Sequence, residues 1–424
     1  MDIVIGAVFT ALSFVAIYKI RMYAAAGISK HWFAVAFAVK IAAAAAMLWM
    51  YWGVDRNKAD IFRFYDDSQV IYKVSKTQPL NYLKMITGIG DNTDENRKIY
   101  RETNNWEFSH GSRIFSNSRL FIRYLAFVSL LTLGSYYGIL VVTLFLSFTG
   151  LFWIFRFFQY SMPLKRKWVF ALVFFTPSVV FWTSGLLKES LLIALTGLIL
   201  NCGNLAFKGR KPVARTVVVL IALIAVFNIK AYYAMILVTA AVPFAINRLT
   251  KTKRIYTAYI ITIFVALAFV SESDKILGRG FYKMIIEKKQ AFITLAAEDN
   301  AGSLIETPDL QSQTVSFLKV APVAVANVLL RPYPGEAHGF AMWLSVVENI
   351  LLAAFVIFVF FRISKQKPDY NVLWFSLMIA VTLILIIGWS TPVLGAISRY
   401  RVIPLIFLEM ALLEIGGVEA EAEV

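Results

Sequence analysis

Residues 371–388 read NVLWFSLMIAVTLILIIG, eighteen residues without a single charge. A helix of that length rises about 27 Å, close to the roughly 30 Å hydrocarbon core of a bilayer. A helix on the surface of a soluble core keeps a charged face, and this one has none, so it reads as a membrane span. The same pattern recurs at 3–19, 32–52, 120–134, 137–155, 168–184, 186–207, 214–229, 231–247, 255–271, 340–361 and 395–415, so 11–12 membrane segments are expected. Hydrophobic residues make up 59% of the 424, and charged residues only 16%, against roughly 25% in soluble proteins. The mean hydropathy of +0.67 points the same way. An array of soluble domains is excluded. The expected fold class is all-α, a polytopic transmembrane helical protein with 1–424 as one integral membrane domain.

Several of these segments are short. The stretches 214–229 and 231–247 are broken at Asn228 and Lys230 after about 15 residues, and such breaks are tolerated at membrane depth only where protein or water covers the backbone. Residues 3–19 follow an acidic Asp2 and read as a retained first span, not a cleaved signal. Two large polar loops interrupt the spans, an acidic one at 53–118 and a second at 272–339. The second ends in an apolar stretch, 315–330, containing Pro322 and expected to lie in the interface. The acidic tail at 419–423 is expected to be disordered.

Lys and Arg number 42 against 26 Asp and Glu, a net charge of +16. In a chain of this kind the surplus belongs to cytoplasmic turns facing anionic lipid, so membrane lipids are expected partners and nucleic acid is not. Cys202 is the single cysteine, and His31, His110 and His338 lie far apart in sequence, so disulfides, thiolate clusters and redox cofactors are not expected. Basic turns at 165–167, 208–215, 248–254 and 362–367 read as cytoplasmic. They place 183–189, the break at 228–230, the 272–339 loop and 388–397 on the opposite face. Lys19, Arg21 and Lys30 put the 20–31 loop inside and 53–118 outside, provided 120–134 is interfacial. The alternative is a cytoplasmic 53–118 loop.

Three sets of residues could carry chemistry. The first is Asp60, Asp66 and Asp67, just after the second span, with Asp60 and Phe64 on one face if the segment is helical. A carboxylate there can act as general base on a hydroxyl or help bind a divalent cation, Mg²⁺ or Mn²⁺, with Asp60 or Asp66 as ligand. Asp91, Asp94 and Glu95 read as a plain turn. The second set lies in 177–189, PSVVFWTSGLLKE, where Lys188 suits a phosphate and Glu189 orients it or contacts a sugar. Against this stands an interfacial anchor, with Trp182 in the aromatic belt and Lys188 snorkelling. The third set is Lys230, Arg331, Arg399 and Arg401, cations on the same predicted face that suit a lipid-linked phosphate or diphosphate. There is no phosphate-cradling Gly-rich loop with its Lys, no Gly-x-Ser-x-Gly elbow and no His-Glu-x-x-His pair.

Asp60 with Tyr65-Asp66-Asp67, the 177–189 turn and Ser398-Arg-Tyr-Arg401 together resemble the GT-C superfamily of integral-membrane glycosyltransferases. More narrowly, they resemble membrane proteins of polysaccharide clusters. The resemblance implies a sugar taken from a polyprenyl-phosphate donor on the non-cytoplasmic face of the inner membrane, for a cell-envelope glycan or lipid-linked acceptor. It puts the role of base or metal contact on Asp60, with Asp66 and Asp67 as competitors. The acidic loop follows the second span here, whereas in that superfamily it usually follows the first. That departure leaves room for an O-antigen-polymerase-like enzyme, and broken helices with intramembrane cations also suit a transporter or flippase of lipid-linked saccharides.

Overall fold

The computed structural model describes residues 1–24, 26–53, 59–106, 117–251, 254–277, 280–298, 302–363 and 367–416. The tail at 419–423, Glu107 and His110 lie outside the described residues. Among those described the chain is all-α, with no strand beyond two isolated bridges. The first third holds α1 (Asp2–Lys19), α2 (Arg21–Ala24), α3 (Lys30–Tyr51), α4 (Asp60–Thr77), α5 (Pro79–Thr87), α6 (Asp94–Arg101), α7 (Arg119–Leu131) and α8 (Tyr136–Ser161). The middle holds α9 (Arg166–Phe175), α10 (Pro177–Trp182), α11 (Lys188–Phe207), α12 (Pro212–Ile229), α13 (Ala231–Thr250) and α14 (Ile255–Leu277). The last part holds α15 (Phe281–Glu298), α16 (Thr314–Leu329), α17 (Phe340–Phe361), α18 (Tyr370–Ser390), α19 (Leu394–Tyr400) and α20 (Val402–Ile415).

Nine of these helices are long and apolar enough to cross a membrane: α1, α3, α8, α11, α12, α13, α14, α17 and α18. The chain is a multi-pass membrane protein. The other three expected spans are not single long helices. The 120–134 segment is α7, whose 13 residues rise only about 20 Å. The 168–184 segment breaks at Thr176, which is held extended at ψ 121° ahead of Pro177; proline disfavours helical backbone in the residue before it. The 395–415 segment breaks at Arg401 into α19 and α20.

The fold divides into two compact units, Met1–Phe157 with Val180–Ala234, and Phe158–Val179 with Met235–Val424. In the first, Tyr23, Phe33, Phe37, Phe148 and Phe152 form an aromatic core joining α2, α3 and α8. Glycine lets α8 meet α11: a Cβ on Gly150 would stand 2.5 Å from the Ala194 Cα, and one on Gly197 would collide with the Gly150 backbone. Small residues at such crossings let membrane helices pack backbone to backbone. The acidic loop is largely helical, as α4, α5 and α6, and it docks on α7. Phe64 meets Phe121 edge-on at 5.2 Å, and the Tyr82 hydroxyl donates to the Ala126 carbonyl at 2.9 Å.

In the second unit, the 315–330 stretch forms α16 and packs along α18. The Ala324 backbone lies against Gly388, and Phe317 meets Trp389 at 5.1 Å. A buried Asn371 at the start of α18 donates to the Phe244 carbonyl at 3.0 Å and accepts from Tyr259 at 2.9 Å, fastening α13, α14 and α18 together.

Candidate functional site

The 183–187 turn that precedes α11 is tied down from three helices. Lys40, in the middle of α3, donates to the Thr183 carbonyl at 3.0 Å and to its hydroxyl at 2.5 Å. Ser147 of α8 and Ser190 of α11 donate to the same carbonyl at 2.9 and 3.1 Å. The turn then delivers Lys188 and Glu189 as the first residues of α11.

These two residues, with Lys230, make the charged centre of the first unit. Lys188 Nζ lies 3.1 Å from the Ser118 hydroxyl and 5.5 Å from the Phe64 ring centroid. Lys230 stands at the break between α12 and α13, and its Nζ meets Glu189 Oε1 at 3.1 Å. The break is itself pinned by Asn117, whose N–H donates to the Ile229 carbonyl at 2.9 Å. All three are buried, at 6%, 2% and 7% exposure for Lys188, Glu189 and Lys230. Two ammonium groups and the Glu189 carboxylate therefore meet at the N-terminus of α11, which itself favours negative charge. The sequence placed Lys188, Glu189 and Lys230 in two separate sets, and the fold brings them together.

The three aspartates of α4 differ in what surrounds them. Asp67 is 1% exposed and accepts from the backbone N–H groups of Asn104 and Asn105 at 2.6 and 2.9 Å. Burial pushes its pKa up, against the pull of those hydrogen bonds. Its carboxylate fastens the chain ahead of α7 to α4. Asp60 and Asp66 are half-buried. Asp60 opens α4 one turn before Phe64, so it stands on the face whose ring lies beneath Lys188.

Asp91 is more than a turn residue. It pairs with Arg123 at 2.6 Å and accepts from Tyr100 at 2.8 Å. Burial, and then Asp91 itself, push the Tyr100 phenol up. Tyr100 stacks flat on Trp106 at 3.8 Å, and the guanidinium groups of Arg119 and Arg123 each lie 5.2 Å from the Trp106 ring.

The arginines form a separate cluster in the second unit. Arg401 is 2% exposed, bonds Glu348 and Asn349 at 2.7 Å each, and reaches the carbonyls of Val328, Ser345 and Arg331. Arg331 pairs with Glu336 of its own loop, Nε to Oε1 at 2.9 Å. That bond holds Glu336 below the usual carboxylate range and raises Arg331. Arg399 is half-buried, 5.8 Å from the Tyr400 ring. Glu348 also accepts from the Ser178 N–H at 2.5 Å, and Glu409 accepts from the Thr176 hydroxyl.

Lys40, Glu348 and Glu409 escaped the reading of the sequence, yet a signal existed. Lys40 is the one charge in 32–52 and Glu348 the one charge in 340–361, and an ionisable residue inside a span needs a partner. Among the described residues, no three His, Cys, Asp or Glu side chains converge as a metal cage. No known protein family, no curated protein and no solved structure matches the chain.

Proposed function

We propose that the protein is a membrane glycosyltransferase of the inner membrane, moving a sugar from a polyprenyl-phosphate donor to a cell-envelope glycan or lipid-linked acceptor on the non-cytoplasmic face. The observation that carries this reading is the buried Lys188–Glu189–Lys230 centre, set beside the face of α4 that begins with Asp60. Buried ammonium groups at a helix N-terminus suit an anionic group, and a phosphate has that chemistry. As the acceptor oxygen bonds to the anomeric carbon, Asp60, or Asp66 further along α4, takes the hydroxyl proton. The bond from the anomeric carbon to the phosphate oxygen breaks, and polyprenyl phosphate leaves with the electron pair and with Lys188 as counter-charge.

The short α7 supports the outward placement of the acidic loop. A 13-residue helix docked on α4 can lie at the surface without crossing. One crossing by α3 and one by α8 then put 53–118 outside and the 165–167 turn inside.

The test is sugar release from a polyprenyl-phosphate-linked donor by the purified full chain. Asp60→Asn is expected to lower the rate roughly 10²–10⁴-fold. Lys188→Arg keeps the charge but replaces a compact ammonium with a bulkier planar group, so a correctly inserted protein should lose on the order of 10²-fold. Full activity in Lys188→Arg, with failed insertion of Lys188→Ala, would make Lys188 a membrane anchor and remove the turn from the site.

A further inference from the structure

The second unit buries two acids beside one base. Glu348 in α17, Glu409 in α20 and Arg401 at the α19–α20 break are all buried. Arg401 bonds Glu348 at 2.7 Å, and its other bonds go to Asn349 and to backbone carbonyls. Glu409 has a hydroxyl, that of Thr176, as its hydrogen-bond partner. Glu348 and Arg401 are the charges that act on it. The other elements around α20 supply no second cation at this place. The 371–390 stretch of α18 has no ionisable side chain, and Arg166 and Lys167 open α9 at the end away from Thr176. Arg399 of α19 meets the Tyr400 ring, and Glu414, a turn beyond Glu409, accepts from the Asp369 N–H. With both acids ionised, the place would hold one net buried negative charge, which is costly.

Thr176 shows how the fold can avoid that cost. Its Oγ1 lies 2.7 Å from the Leu172 carbonyl and 2.9 and 3.0 Å from the two Glu409 oxygens. A hydroxyl has one proton and two lone pairs, and a carbonyl can only accept. When the hydroxyl proton points to Leu172, the contact with Glu409 needs a proton on the carboxyl. When it turns to Glu409, the same oxygens hold a carboxylate. A proton can therefore come and go here without moving a heavy atom; on release, the O–H electron pair stays on Glu409. Two buried donors, Arg401 Nε and the Ser178 hydroxyl, have no hydrogen-bond partner among the described residues. Both belong to residues that hold Glu348, so the cluster keeps donors in reserve for a second carboxylate.

We propose that Glu348, Arg401, Glu409 and Thr176 form a binding site for one proton, carried on Glu409 while Glu348 holds Arg401. Once the proton leaves, two carboxylates compete for one guanidinium. Arg401 also holds the carbonyls of Val328 in α16 and Ser345 in α17, so that competition is passed to both helices. The site is independent of the transferase reading, because none of its residues serves the proposed transfer step.

The experiment is infrared spectroscopy of the full chain in lipid bilayers, titrated with pH. Wild type minus Glu409→Gln should contain the C=O stretch of one protonated carboxyl at neutral pH, moved by D₂O and lost on alkaline titration. Absence of that difference band overturns the proposal. Glu348→Gln frees Arg401 for Glu409, so the band should need roughly ten- to hundredfold more free proton to appear, the weight of a charge-assisted hydrogen bond. An unchanged requirement would refute the sharing of Arg401. Thr176→Val removes the hydroxyl and should move one protonated-carboxyl band to higher frequency. That variant carries the test if Glu409→Gln does not fold, and bands left where they are in wild type would overturn the site. Sodium abolishing the band at constant pH would mark a metal-cation site and overturn the proton as its ligand.

Discussion

Replacing Arg401 by methionine removes the cation from the most enclosed ion pair in the second unit, where Arg401 and Glu348 side chains are 2% and 3% exposed. The change leaves Glu348 charged, buried and held by the Ser178 N–H, and it leaves Asn349 Oδ1 without the guanidinium donor it had at 2.7 Å. Breaking a buried pair from one side costs about 3–5 kcal/mol, since the remaining charge is not compensated. Glu348→Met should cost a similar amount by stranding the guanidinium. If the two effects were independent, the double variant would lose about 6–10 kcal/mol. It lacks both partners of the pair, however, with Glu409 left as the buried acid nearby, and each polar group it orphans, the Ser178 N–H, Asn349 Oδ1 and the carbonyls of Val328, Ser345 and Arg331, is already orphaned in one of the single variants. The double variant should therefore be no less stable than either single one. Unfolding in mixed micelles with increasing dodecyl sulfate, followed by circular dichroism, measures all four proteins. Additivity within about 0.5 kcal/mol would refute the pairing and return Arg401 to the set of cations available for a ligand.

Lys40→Met should insert normally, because it makes α3 more apolar, but it deletes both bonds to Thr183. Amide exchange at 183–188 should rise roughly ten- to hundredfold, as for the loss of a charge-assisted bond, and unchanged exchange would count against the tether. Asp67→Asn should destabilise the α4–α7 region by about 1–3 kcal/mol, because Asp67 uses one oxygen for the Asn104 N–H and the other for the Asn105 N–H, and an amide offers only one oxygen. Since burial raises the folded-state pKa of Asp67, its contribution is complete below the ordinary carboxyl pKa and declines as pH rises through the raised value. The penalty of Asp67→Asn should accordingly shrink with rising pH over that window, and a penalty that grows with pH would refute the direction.

The spans were legible because hydropathy over a window longer than fifteen residues is set by composition alone. All nine long helices fall on expected segments. The segments that failed to form single helices carry visible causes. Pro177 interrupts one, and 120–134 opens with Arg119 and Arg123, which turn to Trp106 and Asp91. The joining of Glu189 to Lys230 was not legible, since 41 residues of chain separate them and nothing local encodes which helix ends meet. Nor could the sequence distinguish Asp67 from Asp60 and Asp66. All three are acids on one short helix, and only the path of 104–105 past Asp67 turns it into a backbone fastener. Asp91 was misread for the same reason: as a local string, 91–95 is a turn, and its role depends on Arg123, 32 residues away.

The geometry at Thr183 argues that the turn before Lys188 is held more firmly than stability alone requires. A carbonyl oxygen has two lone pairs, yet this one receives Lys40, Ser147 and Ser190 at 2.9–3.1 Å, and Ser190 also reaches the Gly185 carbonyl at 2.9 Å. Bringing a lysine into the middle of a span is costly, and one hydroxyl would have satisfied the carbonyl. A cheaper sequence, with methionine or leucine at 40, would have made a better membrane helix. What the lysine adds is a strong tether between α3 and the turn, fixing where α11 begins and hence where Lys188 and Glu189 stand. Positional precision of that kind matters when small displacements of a substrate cost orders of magnitude in rate. A snorkelling anchor tolerates such displacements, because its ammonium only has to reach the interface. The network around Thr183 therefore favours a fitted site at Lys188 over an anchor.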